Sequence, residues 1–272
     1  MTTTLDTGTS DLLSVLEDGV LTLTLNRAEA RNAMSEAMNQ ALARQLASAE
    51  LDPEIKCVVL TGAGKGFCSG GDVKAMSNRG ARGSITVDEA IHRQRVNQRD
   101  TVGRLFKMPK PTLAALPGAA AGAGLALALA CDLRIMATTA FMTTAFARVG
   151  YSGDFGGTYF LTQLVGSAKA RELYYLSDRV SADEALRLGL ANWICPPDEL
   201  NARTREIARR LASGPSVALR YMKENLNRAM GGEVDDCLDL EVTHHTHCSL
   251  TEDHREAVKA FVEKREPVFH GR

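Results

Sequence analysis

The pattern of apolar and polar positions along the chain predicts alternating strands and helices. Residues 12–25 alternate with a period of two around a turn at 17–19, which predicts a β-hairpin. Ser35 stands where it would cap a helix whose apolar residues recur at helical spacing. Continuous apolar runs at 57–60 and 111–116 are typical of strands buried in a parallel sheet. This order predicts β–α–β units with right-handed crossovers.

The two ends of the chain have different patterns. Residues 1–10 carry no periodic apolar pattern and are predicted to be a disordered or loosely docked tail. A long polar helix with a basic face is expected over about 89–106, and from residue 200 onward the pattern is helical throughout. This change predicts two parts, a mixed core at 12–197 and a C-terminal helical part at 198–272.

Composition and charge narrow the class of protein. A chain of 272 residues with 44% hydrophobic and 24% charged residues is typical of one α/β domain with a small appended part. The formal net charge of −1 gives no reason to expect nucleic acid or an anionic membrane as a partner. The apolar run at 113–130 is interpreted as a buried core helix rather than a membrane span, because it contains Pro117, several glycines and mostly alanine.

The cysteines and the first residues favour a cytoplasmic protein. Six cysteines are scattered without CxxC spacing, so no metal framework is visible and a reducing compartment is expected. The N-terminal residues lack a basic region followed by an apolar core, so no signal peptide is predicted.

Two glycine-rich turns are the first candidates for chemistry. Residues 69–72 read SGGD and residues 122–124 read GAG, and each turn follows a predicted buried strand and precedes a helix. An oxyanion hole needs two backbone N–H donors that converge on one oxygen, and small residues let a substrate approach them. One such turn alone is most often plain turn geometry, but the pair is more specific. Neither turn has the Gly-Lys-Ser/Thr ending of a P-loop.

Asp154 is the candidate acid or base. It is a lone carboxylate that precedes Gly156 and Gly157 and ends the small-residue stretch at 116–157. A carboxylate in this place is predicted to face whatever anion the N–H groups hold. The residues alone leave a second interpretation open, in which Asp154 caps the helix that begins near Gly157.

Five motifs occur in order along the chain. They read NRAEARNAM, VVLTGAGKGFCSGGDVKAM, KPTLAALPGAAAGAGLALALACDLRIMA, GDFGGTYFLTQLVG and AFVEKREPVF. This series resembles the crotonase family, the enoyl-CoA hydratase/isomerase superfamily, over roughly residues 12–269. The resemblance implies an α/β fold, a crotonase-like spiral of ββα units with a C-terminal helical subdomain. It also implies a homotrimer or hexamer in which residues 198–272 serve trimerisation and the acyl pocket.

The resemblance implies an acyl-CoA thioester as ligand, with no metal and no cofactor besides the coenzyme A of the substrate itself. The thioester oxygen would lie between the N–H groups of Gly71 and Ala123. The positions that match the coenzyme-binding places of the family are Ala30, Arg31, Ala33, Asp72, Val73, Lys74 and Lys264. For the basic residues among them, a solvated surface charge is the competing interpretation.

The sequence departs from the hydratases of this family at both of their active-site glutamates. Ala126 and Phe146 stand at the two matching positions. Hydration needs one group to activate water and another to handle the proton at the α-carbon. The machinery for hydration is therefore expected to be missing, and the pocket is expected to be dry.

The resemblance favours a catalytic Asp154, because isomerases, dehalogenases and hydrolases of the family often carry an aspartate there. The leading hypothesis is an enoyl-CoA isomerase in which Asp154 moves a proton from C2 to C4. The alternatives are a hydratase of unusual type, a hydrolase or dehalogenase with Asp154 as nucleophile, and a non-catalytic CoA-binding relative. The nucleophilic route needs a second base, and His92 is the only histidine before His244. The cluster of His244, His245 and His247 is interpreted as a helix surface or subunit contact rather than a metal site.

Overall fold

Two β-sheets form the body of the protein in the computed structural model, which describes residues 2–72 and 85–272. Val73 and Lys74 therefore lie outside the described residues. The strands of the larger sheet are, in spatial order, β1 (Thr2–Leu5), β2 (Leu12–Glu17), β3 (Val20–Leu25), β4 (Cys57–Gly62), β6 (Thr112–Leu116), β8 (Leu133–Ala137) and β11 (Trp193–Cys195). Those of the smaller sheet are β10 (Val180–Ser181), β9 (Phe141–Thr143), β7 (Ala119–Ala121) and β5 (Gly66–Cys68).

Helices cover the sheets and form the C-terminal part. They are α1 (Glu36–Leu51), α2 (Val87–Gln98), α3 (Arg104–Lys107), α4 (Ala123–Ala130), α5 (Gly157–Leu176), α6 (Ala182–Arg187), α7 (Leu200–Ala212), α8 (Ser216–Ala229), α9 (Val234–Ser249) and α10 (Glu252–Glu263). The wider turns of a π-helix at Arg99–Gly103 join α2 to α3, so the predicted helix over about 89–106 is observed as one continuous helical run. At Gly166, φ is 75°, which breaks α5 into the two helical pieces that a glycine there predicts.

The predicted hairpin and helix cap are both observed. Asp18 and Gly19 have φ values of 50° and 77°, and two successive positive φ angles are typical of the type I′ turn that Asp-Gly favours. The Ser35 hydroxyl accepts a 3.0 Å hydrogen bond from the Met38 N–H and so caps α1.

The prediction of a loose tail at residues 1–10 is wrong at its first residues. Thr2–Leu5 pairs antiparallel with β2, with Thr2 opposite Glu17 and Leu5 opposite Ser14. Threonine favours strands, but an exposed edge strand needs no apolar face. These residues therefore show no apolar periodicity that would predict a strand, and the strand is stabilised by backbone pairing with β2.

Each ββα unit contributes one strand to each sheet. In the larger sheet β4, β6 and β8 are parallel neighbours, and in the smaller sheet β5, β7 and β9 are parallel neighbours. This is the predicted spiral of ββα units. Because the three units repeat, the segments that follow β5, β7 and β9 leave the smaller sheet at the same edge.

The C-terminal helices are tied to this core by a buried lysine. The Lys223 Nζ in α8 donates to Asp132 Oδ2 at 2.9 Å and to the carbonyl oxygens of Leu105 (2.9 Å) and Lys110 (3.2 Å). The division at residues 197–198 stays a prediction. Within the described ranges, none of the helices combines the length and the apolar composition that crossing a membrane requires.

Candidate active site

Three chain segments meet at the edge of the smaller sheet where β5, β7 and β9 end. The first turn, residues 69–72, follows β5, and the second turn, residues 122–124, follows β7. The third segment, 144–156, follows β9 and carries Asp154 just before α5. The repeat of the fold thus brings the three segments that carry the candidate residues to one edge of the smaller sheet.

The two glycine turns lie against each other with no room for side chains between them. A Cβ on Gly70, where φ is 93°, would lie 2.9 Å from the Ala121 carbonyl oxygen and 3.4 Å from the Ala123 nitrogen. A Cβ on Gly124 would overlap the carbonyl oxygen of Cys68. Glycine at both positions is therefore a condition for the close approach of the two turns.

The second turn presents the N-terminus of a buried helix. Gly122 occupies the N-cap of α4 with φ of 54°, and no side chain caps the helix there. The first N–H groups of a helix have no partner within it and carry the positive end of the helix dipole. The N–H of Ala123 is accordingly one candidate donor for an oxyanion, and that of Gly71 in the adjoining turn is the other.

The first polar loop, residues 26–35 between β3 and α1, is joined by hydrogen bonds to the first glycine turn. The Met34 N–H donates to the Gly70 carbonyl at 2.8 Å, and the Ser69 N–H donates to the Arg31 carbonyl at 3.0 Å. Arg27 Nη1 donates to Asp72 Oδ2 at 2.9 Å. Asp72, predicted as a coenzyme contact, is thus part of an ion pair that connects the loop to the turn.

The remaining coenzyme-binding predictions fall in two places. Arg31 is exposed in the loop, Ala30 is half-buried beside it, and Ala33 is buried. Lys264 is exposed at the end of α10, and no hydrogen bond between described residues joins its side chain to the loop or the turns. Their role in binding coenzyme A stays a prediction.

Asp154 has the properties of a proton-transfer group. Its side chain is half-buried, and among the described residues its buried Oδ1 has no hydrogen-bond partner. Burial raises the pKa of the carboxyl from 3.8 to about 6. The helix-cap interpretation is wrong, because Gly156 is the N-cap of α5 and no side chain caps this helix. The side chain is left free to act on a ligand.

The rings of Phe146 and Tyr174 lie near the segment that carries Asp154. The rings of Phe146 and Tyr174 stack with centroids 5.9 Å apart and 12° between their planes. A Cβ on Gly157 would lie 2.6 Å from the Tyr174 hydroxyl and 3.4 Å from the Ala126 Cβ. The sequence does not reveal this contact of Tyr174, because it depends on how α5 packs beside the segment of Asp154 and leaves no local signal.

Cys68, His92 and His244 are other potential nucleophiles or bases among the described residues. The Cys68 thiol beside the first turn is fully buried, which raises its pKa to about 12. His92 is exposed on α2. His244 is buried between α8 and α9, where it stacks on Tyr221 and contacts Asn225 at 2.6 Å, so the interpretation of a helix surface is wrong for this residue.

The arrangement of sheets and helices defines the class of protein. Two sheets built from repeated ββα units, with C-terminal helices, make an α/β fold of the crotonase type. The crystal structure of an enoyl-CoA hydratase from Polaromonas sp. JS666 is similar to it, with a TM-score of 0.89, 32% identity, and coverage of 95% of this chain and 99% of that one.

The sequence comparisons agree with the fold. The family model described as enoyl-CoA hydratase/isomerase matches residues 16–272. The chain is 38% identical to the 1,2-epoxyphenylacetyl-CoA isomerase of Escherichia coli (strain K12), over 96% of this chain and 98% of that one. It is 34% identical to the short-chain-enoyl-CoA hydratase of Clostridium acetobutylicum, over 92% and 93% of the two chains. The chain therefore belongs to the enoyl-CoA hydratase/isomerase family and is an enzyme of acyl-CoA thioesters.

Proposed function

We propose that this enzyme is an enoyl-CoA isomerase that shifts a double bond by proton transfer through Asp154. The observation that carries the proposal is the state of this carboxyl: its Oδ1 is buried without a partner among the described residues, and its pKa is raised to about 6. A carboxyl with a pKa near neutrality can both take and return a proton under ordinary conditions.

The proposed reaction begins with a 3-enoyl-CoA. Asp154 removes a proton from C2, and the negative charge of the resulting dienolate gathers on the thioester oxygen. The N–H groups of Gly71 and Ala123 hold that oxygen, aided by the dipole of α4. The protonated Asp154 then delivers the same proton to C4, which gives the conjugated 2-enoyl-CoA.

The binding part of the proposal follows the family resemblance. Coenzyme A is held along the first polar loop and first glycine turn, by Ala30, Arg31, Ala33 and Asp72, with Val73, Lys74 and Lys264 completing the site. The hydrogen bonds between Ser69 and Arg31 and between Met34 and Gly70 support it, because they join the loop and the turn into one surface.

Isomerisation is favoured over hydration by what surrounds Asp154. The resemblance implies that Ala126 and Phe146 occupy the glutamate positions of the hydratases, and both residues are apolar and buried. A water molecule placed there would meet a methyl group and a ring instead of the second carboxylate that hydration needs beside Asp154. The enzyme is therefore expected to isomerise 3-enoyl-CoA and to leave 2-enoyl-CoA largely unhydrated.

The first test replaces the carboxylate while keeping its shape. Asp154→Asn is expected to lower kcat/KM for 3-hexenoyl-CoA by about 10²–10⁴-fold, because the amide cannot accept the C2 proton. The measurement follows formation of 2-hexenoyl-CoA, with crotonyl-CoA assayed separately for hydration.

The matched control for this test is Asp198→Asn, an exposed aspartate before α7, which is expected to leave the rate unchanged. An Asp154→Asn variant with the parental rate would refute the single-base mechanism. A covalent adduct on Asp154 in the mass spectrum of quenched enzyme would favour the nucleophilic route. Binding of CoA thioesters without any turnover would favour a non-catalytic protein.

A second candidate is the isomerisation of a thioester whose acyl group carries a ring. It is favoured by the similarity to the 1,2-epoxyphenylacetyl-CoA isomerase and by the aromatic rings of Phe146 and Tyr174 beside Asp154. Turnover of 1,2-epoxyphenylacetyl-CoA with a higher kcat/KM than that of 3-hexenoyl-CoA would place this candidate first.

A further inference from the structure

Tyr174 of α5, which the proposed mechanism does not use, lies against the chain segment that carries Asp154. It lies in the second half of α5, beyond the break at Gly166, whereas Asp154 precedes the first half. The helix thus brings Tyr174 back to the segment that carries Asp154.

Hydrogen bonds of Thr143, Thr144 and Ser177, which we call the polar clamp, fix the end of α5 that carries Tyr174. The Thr144 hydroxyl donates to the Leu173 carbonyl at 2.7 Å and lies 3.2 Å from the Ser177 hydroxyl. The Thr143 hydroxyl donates to the Ser177 carbonyl at 3.0 Å. Thr144 and Ser177 are almost completely buried, so these bonds are shielded from water. The clamp holds the segment after β9 and the end of α5 in one fixed relation.

The clamp sets the position of the aromatic pair. Phe146 follows Thr144 by two residues, and Tyr174 follows Leu173 by one, so both rings project from clamped backbone. They stack at 5.9 Å, and the edge of the Phe146 ring lies 3.7 Å from the place of a Cβ on Gly122 in the second glycine turn. The stacked pair, which we call the aromatic wall, therefore spans from the candidate oxyanion turn to α5.

The other end of the aromatic wall lies against the segment of Asp154. A Cβ on Gly153 would lie 3.0 Å from the Tyr174 ring, and one on Gly157 would meet the hydroxyl. Both glycines flank Asp154, so the tyrosine packs directly on the backbone that carries the carboxylate. Burial and, after it, the charge of Asp154 raise the pKa of the Tyr174 phenol.

Other titratable side chains of the segment after β9 and of α5 include the exposed Tyr151 and the Lys169–Glu172 ion pair at 2.8 Å. Arg148, in the segment after β9, and Asp178, after α5, are both exposed and lie 4.0 Å apart as a surface pair. From α4, Ala126 contributes only a methyl group. Among the described residues, Tyr174 has a pKa that is raised by burial and then by the charge of Asp154.

From this geometry we propose that Tyr174 is a positioning residue that, with Phe146, keeps water away from Asp154. The consequence is that the proton taken from C2 stays on the carboxyl and returns to C4 of the same substrate molecule. This inference rests on the proposed isomerase function. A carboxylic acid exposed to water would instead exchange its proton with solvent between the two steps.

The test measures internal proton return in D₂O. Wild-type enzyme converts 3-hexenoyl-CoA, and mass spectrometry counts deuterium in 2-hexenoyl-CoA at early times. Tyr174→Leu, which keeps an apolar side chain in the fold, and Tyr174→Ala are expected to raise the deuterium content several-fold. Tyr174→Phe keeps the ring and is expected to retain the low content of the wild type. The matched control is Tyr175→Leu, since this neighbouring tyrosine is 70% exposed.

A second readout needs no substrate. With ¹³C-labelled aspartate, the Asp154 carboxyl signal is assigned by its loss in Asp154→Asn and then titrated. In Tyr174→Ala and Tyr174→Leu its pKa is expected to move from about 6 toward 3.8 as water enters. In Tyr174→Phe and Tyr175→Leu it is expected to stay.

The outcomes separate the two proposals. If the wild type fails to isomerise 3-hexenoyl-CoA, the proposed function fails, while the titration still decides whether the aromatic wall excludes water. If Tyr174→Leu and Tyr174→Ala leave both the deuterium content and the titration unchanged, the role of Tyr174 is refuted. High deuterium content already in the wild type also refutes it. A loss of rate alone, with both readouts unchanged, identifies a merely structural residue.

Discussion

At the residue scale, the raised pKa of Asp154 leads to predictions about both the rate and the stability of the protein. Burial raises its pKa to about 6, and the proposed base is active only when ionised. We expect kcat/KM to be low below pH 5, to rise with pH through about 6 and to reach a plateau above it. The measurement is a pH–rate profile with 3-hexenoyl-CoA. A flat profile between pH 4.5 and 7.5 would contradict the assignment of the base.

The same raised pKa predicts an effect on folding. Between pH 3.8 and about 6 the unfolded state loses its proton before the folded state does, so the Asp154 contribution to stability falls as pH rises. Asp154→Asn removes this cost and is expected to raise the free energy of unfolding at pH 7.5 by roughly 1–2 kcal/mol, after allowance for the remaining solvent exposure. At pH 3.5 the gain is expected to vanish. Urea unfolding at the two pH values measures both.

At the element scale, the site depends on the close approach of β5 and α4. Gly124 stands in the first turn of α4, where a Cβ would overlap the Cys68 carbonyl oxygen at the end of β5. Backbone cannot move aside as a flexible side chain does. Gly124→Ala is therefore expected to lower the free energy of unfolding by about 1–3 kcal/mol and to separate the two glycine turns, with loss of activity.

The matched control lies in β5 itself. A Cβ on Gly66 would meet nothing within 4 Å, so Gly66→Ala is expected to change stability by less than about 0.5 kcal/mol. Thermal or urea unfolding compares the two variants. Equal stability of both would show that the turns can separate without cost.

The elements themselves were predictable where a local rule determines them. The Asp18-Gly19 turn and the Ser35 cap follow from the chemistry of single residues, and the buried strands follow from their apolar runs. The strand Thr2–Leu5 was not predictable, because its stability comes from backbone pairing with β2 and its side chains carry no pattern.

At the scale of the whole molecule, the fold repeat determines which parts of the site the sequence reveals. Gly71, Ala123 and Asp154 follow equivalent strands, and a sequence pattern of strand, glycine turn and helix marks such places. Tyr174 lies beyond the break at Gly166, and the hydrogen bond of Thr144 to Leu173 holds its end of α5 beside the segment of Asp154. Contacts of that kind depend on the relative position of two elements, which no local pattern encodes.

The surface of the C-terminal helices bears on assembly, which the family resemblance implies to be a trimer or hexamer. Several large apolar side chains are exposed on α8, α9 and α10. They include Leu226, Val242, Phe261 (84% exposed) and Val262. When several large apolar side chains are exposed on neighbouring helices, that surface is typically one that binds another protein chain. We therefore expect the wild type to form a homotrimer or hexamer in native mass spectrometry.

Phe261→Asp tests whether α10 contributes to that assembly. A carboxylate in a subunit interface would be buried without a partner, so association is expected to weaken by at least about 2 kcal/mol and monomers to appear at micromolar concentration. Because Phe261 makes little contact within its own chain, the unfolding midpoint of the monomer should change little. The control is Leu51→Asp at the end of α1, a leucine that is 85% exposed but outside the C-terminal helices. A monomeric wild type would refute a role of α10 in assembly, and so would a Phe261→Asp variant that stays fully assembled. In either case, the acyl pocket would be the remaining role expected for residues 198–272.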